Sequence, residues 1–311
     1  MSSSINTPKA QLSVEFAGVK FKNPIVAASG AFGYGREYEE FFPLSILGGI
    51  AVKGTSIESR DGNKPPRIAE TASGMLNSVG LQNPGINSFI ENELPFLKQK
   101  NTVVIANIAG KTAEEYREVA QRLDATSVDM VELNISCPNV KAGGIAFGVT
   151  CEGAAEITKI VRSSSKKPLM VKLSPNVTNI ADIAKAVESE GADAVSLINT
   201  LLGMRIDIKT ARPILKNNVG GLSGPAVFPV ALRMVWQVAG AVKIPVCGIG
   251  GISSWEDTVE MMMAGAKIVQ IGTALFSNPN IPAEIIEGLE KYAHDNGLGH
   301  LQDIAGAVKP W

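Results

Sequence analysis

Eight short apolar runs recur along the chain: Pro24–Ala28, Gly49–Val52, Thr102–Asn107, Asp129–Asn134, Leu169–Leu173, Ala194–Ile198, Ile244–Gly248 and Lys267–Ile271. They are near-continuously apolar rather than alternating, the pattern of parallel strands buried on both faces. Helical stretches fall between them. Thr112–Leu123 opens on a cap-type threonine with Glu115 three positions later, the signature of a capping box. Ile180–Glu190 stops at Gly191, and Ser253–Ala264 stops at Gly265. Eight β/α units predict an α/β fold, a (β/α)8 TIM barrel taking residues 1–311 as one domain, with a doubly wound open sheet as the alternative.

Two regions exceed a minimal barrel. Leu12–Lys22 alternates around Ala17-Gly18 and reads as an N-terminal β-hairpin capping the barrel's bottom. Thr55–Asn87, after strand two, holds Pro65-Pro66, many polar residues and several glycines, and is too long for an ordinary βα loop. Barrel active sites lie at the C-terminal ends of the strands, so this inserted segment is expected to help build the site.

Composition narrows the chemistry. The 311 residues carry a formal net charge of −1, with no basic excess for nucleic acid or anionic lipid. No run of about 18 apolar residues suggests a membrane span, and residues 1–9 lack a signal-peptide core. Cys137, Cys151 and Cys247 are too few for a disulfide framework or a four-cysteine iron–sulfur cluster, which fits a reducing, cytoplasmic compartment. Both histidines, His294 and His300, lie near the C-terminus. Catalysis is therefore expected from Cys, Lys, Asn, Ser/Thr or a cofactor.

The strand ends assemble a candidate mouth. Ser29 follows strand one, Lys53-Gly54 strand two, Asn107 strand three and Asn134–Asn139 strand four. Lys172 ends strand five and Asn199-Thr200 strand six, with Gly220–Gly224 beyond. Gly248–Gly251 and Gly272-Thr273 close the list. Glycine turns after the last two strands can cradle a phosphate; the plain alternative is tight turns with no ligand. Two lysines facing such a pocket suggest a further anionic group, such as a reduced flavin or a carboxylate, with a Schiff-base lysine also open. Asn77, Asn134, Asn139 and Asn199 suit a planar ring rich in amide groups, unless they only stabilise turns.

The motifs Asn134-Ile-Ser-Cys-Pro-Asn139, Ala51-Val-Lys-Gly-Thr55, Met75–Gly85, Ile198-Asn-Thr-Leu201, Gly220–Pro225 and Gly248-Ile-Gly-Gly251 together resemble class 1 dihydroorotate dehydrogenases over nearly the whole chain. The resemblance implies an FMN-containing barrel that oxidises dihydroorotate to orotate in pyrimidine synthesis. Wording around Lys53–Gly85 is similar to type B, whose catalytic subunits form a homodimer within a heterotetramer. The partner subunit there holds FAD and a [2Fe-2S] cluster and passes electrons to NAD; the fumarate-using type A is the runner-up. By motif, Cys137 would be the catalytic base. Lys53, Asn77, Val79, Gly80, Leu81, Asn134, Asn139, Asn199 and Thr200 would bind substrate. Ser29, Lys53, Gly54, Asn107, Asn134, Lys172, Ile198, Gly224, Gly250, Gly251, Gly272 and Thr273 would bind FMN.

A free thiol has a pKa of about 8.5, so such a base works better as pH rises. The glycine-rich stretch Lys141–Gly148 reads as a lid over it. Cys247 reads as a small core residue and Cys151 as the start of a helix. Three rival readings stand: a flavin barrel acting on uracil or tRNA uridine, a flavin-free phosphate-binding lyase, and a non-catalytic scaffold.

Overall fold

The computed structural model describes residues 10–136 and 147–311. β1 (Val14–Phe16) and β2 (Val19–Phe21) form the expected hairpin, and Ala17 and Gly18 both take positive φ, 50° and 77°. That backbone hand matches the twist of the two strands. Along the chain follow β3 (Ile25–Ala27), β4 (Gly49–Ala51), β5 (Ile68–Thr71), β6 (Gly74–Asn77), β7 (Val103–Ile108), β8 (Met130–Asn134), β9 (Leu169–Lys172) and β10 (Ala194–Leu197). Then come β11 (Leu201–Gly203), β12 (Ile206–Asp207), β13 (Arg212–Pro213), β14 (Gly220–Ser223), β15 (Val246–Ile249) and β16 (Ala266–Ile271).

Eight of these close a barrel in the order β3-β4-β7-β8-β9-β10-β15-β16, with every pairing parallel. Each apolar run in the sequence overlaps one barrel strand. The seventh starts at Val246 rather than Ile244, leaving Pro245, which has no N–H to donate, outside the ladder. Alternate side chains divide between two cores. Ile25, Ile50, Val104, Val131, Val171, Val195 and Val269 pack outward with the helices. Val26, Ala51, Ile105, Met130, Met170, Ala194, Cys247 and Ile268 fill the interior. Phe16 and Phe21, fully buried, close the bottom of that interior, each contributing about 1.5–3 kcal/mol by burial.

The helices start and stop on the residues the pattern picks out. Thr112 caps Ala113–Asp124 by accepting from the Glu115 N–H, 3.3 Å away. The capping box is only half formed, because the Glu115 carboxylate accepts from the Lys111 N–H and pairs with Arg60 instead. Cys151 opens the helix Cys151–Ser164, capped by Thr150. Gly191 and Gly265 end helices at φ +90° and +118°. Among the described residues no helix is long and apolar enough to cross a membrane.

The departure from expectation lies above the barrel. Gly220–Ser223, from the glycine-rich stretch after strand six, is a strand that lines the cavity. β14 pairs antiparallel with both β11 and β6, giving a four-stranded sheet in the order β11-β14-β6-β5. Two insertions, one after β4 and one after β10, therefore build one wall together.

Candidate active site

A cavity of about 1220 Å³ opens at the C-terminal mouth of the barrel. Its floor follows from strand register. In a tilted eight-stranded barrel, alternate strands supply the side chains of each interior layer. Stepping round the observed pairings places Ala28, Asn107, Lys172 and Ile249 in one layer, all four lining the cavity. The next layer outward is Lys53, Asn134, Ile198 and Gly272, which also line it. The residues that the sequence singled out at six strand ends are thus two consecutive layers of one barrel.

The walls come from the loops. Asn77, Val79, Gly80 and Leu81 approach from the insertion after β4, and Asn199 and Thr200 from the end of β10. Gly224 ends β14, and Gly250, Gly251 and Thr273 lie in the turns after β15 and β16, with Ser29 following β3. Gly251 has φ +76°, and a Cβ there would sit 2.6 Å from the Phe228 backbone nitrogen. Only glycine permits that close approach. Cys137 and Asn139 lie outside the described residues, as does Lys141–Ala146 of the expected lid.

The amide side chains are held in fixed senses. Asn134 Oδ1 accepts from the Ser136 N–H at 3.2 Å and from the Ser136 hydroxyl at 2.8 Å. Its Nδ2 is the end left for the cavity. Asn199 Nδ2 donates to the Ser136 hydroxyl, and its Oδ1 accepts from the Thr200 N–H at 2.8 Å. Asn176 ties down the next stretch, donating to the Thr200 carbonyl at 3.0 Å and accepting from the Leu202 N–H at 3.0 Å. Asn77 Nδ2 reaches the Gly221 carbonyl at 3.4 Å, a weak contact across the β6–β14 pair.

Charge is concentrated at the floor. Lys172 is 6% exposed. Its ammonium has no hydrogen bond or ion pair with any described residue. A buried cation with no ion-pair partner is costly, so the floor is suited to an anionic or electron-rich group. Beside it Asn107 is fully buried, and its Oδ1 has no hydrogen-bond partner among the described residues. The floor layer thus holds both an orphan acceptor and a cation. Burial pushes the Cys247 thiol, lower in the barrel, well above its usual range, and the nearby Glu132 pushes it the same way.

Comparison with known proteins places the chain among relatives. The family model described as dihydroorotate dehydrogenase matches residues 11–292. A protein of Thermoanaerobacter pseudethanolicus named "Dihydroorotate dehydrogenase B (NAD(+)), catalytic subunit" is 55% identical over 298 residues, covering 96% of this chain and 99% of the relative. Proteins of the same name from Geotalea uraniireducens and Geobacillus sp. are each 55% identical, over 301 and 297 residues, covering 96% and 95% of this chain and 99% and 95% of their own length. The chain belongs to the dihydroorotate dehydrogenase family.

Several side chains of this dihydroorotate dehydrogenase family member escaped the sequence reading. Ser136 sits inside a motif that was read for its asparagines and its cysteine, and its bridging role needs the fold. Asn176 lies beyond the end of β9, where nothing in the sequence ties it to Thr200. Glu132 was legible in principle. It is a lone acid in an apolar strand, two residues before Asn134, so it shares Asn134's inward face.

Proposed function

We propose that this chain is the catalytic subunit of an NAD-linked dihydroorotate dehydrogenase, oxidising dihydroorotate to orotate in pyrimidine synthesis with one FMN at the barrel mouth. The observation that carries the reading is the floor layer. An unpaired, buried Lys172 in the same layer as an orphan Asn107 carbonyl oxygen suits the edge of an isoalloxazine, which alternates C=O, N–H and C=O. The names borne by the relatives support the same reading.

FMN would supply the acceptor for a hydride. The chain's own residues do the rest. Lys172 and Lys53 would hold the flavin's electron-rich edge and stabilise negative charge there. Gly224, Gly250, Gly251, Gly272 and Thr273 are placed to take the phosphate through backbone N–H groups. Asn77, Asn134 and Asn199, with the Val79–Leu81 backbone, hold the pyrimidine through fixed donors and acceptors. Cys137 takes the proton from the carbon beside the ring carbonyl, and Asn139 supports the ring. The carbon–carbon double bond of orotate forms as proton and hydride leave adjacent carbons. Electrons then pass to NAD through a partner subunit carrying FAD and [2Fe-2S], in a heterotetramer built on a homodimer. The exposed apolar side chains of Leu202, Met204, Ile206 and Ile208 suit such an interface.

The test is a visible spectrum of the purified chain before and after anaerobic dihydroorotate. A flavin band that bleaches supports the reading. A flavin band that persists moves the substrate elsewhere, and a chain that takes up no FMN on reconstitution favours a flavin-free lyase.

A further inference from the structure

One fully buried acid has no part in the chemistry above. Glu132 lies in the interior layer directly beneath the cavity floor, with Ala51, Ser196 and Gln270. Its carboxyl group accepts three hydrogen bonds: from Asn107 Nδ2 at 2.5 Å, Ser196 Oγ at 2.9 Å and Gln270 Nε2 at 2.7 Å. Among the described residues no cation forms an ion pair with it. The titratable groups facing it are Lys172, in the layer above and register-paired with Ser196, and Cys247, which is register-paired with the same serine.

The bond to Asn107 has a consequence for the cavity. An amide has a donor end and an acceptor end. Because Asn107 Nδ2 is held down by Glu132, Oδ1 is turned away from the carboxyl group and left without a partner, close to Gly54, where a Cβ would meet it at 3.0 Å. A neutral side chain in place of Glu132 would not enforce that sense. A glutamine could even donate to Asn107 and let the amide flip. The carboxylate also sets a negative charge one layer below Lys172, inside a low-dielectric interior where charges act strongly.

We propose that Glu132 is a positioning residue for the flavin, fixing the sense of the Asn107 amide in the floor layer and opposing Lys172 in the field that a flavin bound above that layer would meet. This rests on the FMN reading above. The alternative is a carboxyl group that merely fills a polar layer. The two differ in redox behaviour, because negative charge beneath the ring disfavours the electron-rich reduced flavin.

The experiment measures FMN affinity of the stripped chain by fluorescence quenching, and the midpoint potential of bound FMN, for wild type, Glu132→Gln and Ser196→Ala. Wild type is measured first: if it binds no FMN, the cofactor reading itself fails. Given wild-type binding, Glu132→Gln is expected to weaken FMN at least tenfold and to move the potential positive. Ser196→Ala removes a donor that partly neutralises the carboxylate and does not line the cavity, so its potential should move negative. Opposite signs support the proposal. Unchanged affinity and potential in Glu132→Gln, or shifts of the same sign in both variants, overturn it. If Glu132→Gln does not fold, Ser196→Ala decides: a negative shift supports the proposal, and an unmoved potential overturns it.

Discussion

Gly74 and Gly224 touch backbone to backbone: a Cβ on Gly224 would lie 2.6 Å from the Gly74 Cα, and one on Gly74 would lie 2.0 Å from the Ser223 carbonyl oxygen. Through this contact the insertion after β4 meets the insertion after β10, and both line the cavity. Gly224 also has φ +96°, which disfavours any side chain. Gly224→Ala is expected to cost about 1–3 kcal/mol in denaturant unfolding and to weaken FMN binding. Gly240→Ala is the control. Its φ is −78° and the nearest atom to a Cβ there would be the Trp236 carbonyl oxygen, 3.6 Å away, so it should be neutral or stabilising by about 0.4–1 kcal/mol.

Lys172→Met tests the floor. It keeps most of the side chain's volume and removes its charge. Hydrogen bonds to charged groups contribute about 1.5–3 kcal/mol, so FMN affinity should fall roughly tenfold to a hundredfold. The flavin potential should move negative, opposite to Glu132→Gln. A lower melting temperature with unchanged FMN affinity would show that Lys172 serves the fold and not the cofactor.

Ser136→Ala removes the hydroxyl that Asn134 and Asn199 share. Each amide keeps its backbone N–H donor, from Ser136 and Thr200, but loses its side-chain partner. The expected result is a rise in KM for dihydroorotate of about fivefold to tenfold, corresponding to about 1 kcal/mol for one hydrogen bond, with FMN content unchanged. Steady-state kinetics beside a flavin-to-protein absorbance ratio checks both halves.

The cysteines should separate by reactivity. Burial, with Glu132 nearby, raises the Cys247 pKa, so its thiolate fraction is below that of an ordinary thiol at any given pH. In the double variant Cys137→Ser, Cys151→Ser, a thiol reagent at pH 8 should find nothing until denaturant is added; fast labelling of the native protein would contradict the burial. Cys137→Ser alone should keep FMN and lose most turnover at neutral pH, a hydroxyl being a far poorer base. Stopped-flow reduction of the flavin by dihydroorotate measures it.

The sequence by itself determined the barrel and the roster at its mouth. Apolar runs buried on both faces need no partner to be recognised, and polar residues at or just past their C-terminal ends must face the mouth, as Lys53, Asn134 and Lys172 do. The hairpin was legible for the same local reason, since Ala17-Gly18 sits between two alternating segments. Only the tertiary structure decided what lies between those residues. The pairing of β6 with β14 joins strands of four residues each, Gly74–Asn77 and Gly220–Ser223. Such strands are too short and too glycine-rich to carry a pattern, and no local rule names a partner so far along the chain. Cys137 and Asn139 remain known from their motif alone. The amide senses of Asn107, Asn134 and Asn199 depend on which neighbour occupies each donor and acceptor. Glu132 shows the division most clearly: its inward direction follows from the alternation of a strand, but its three hydrogen-bond donors stand on three other strands, and only closure of the barrel brings them to one carboxyl group.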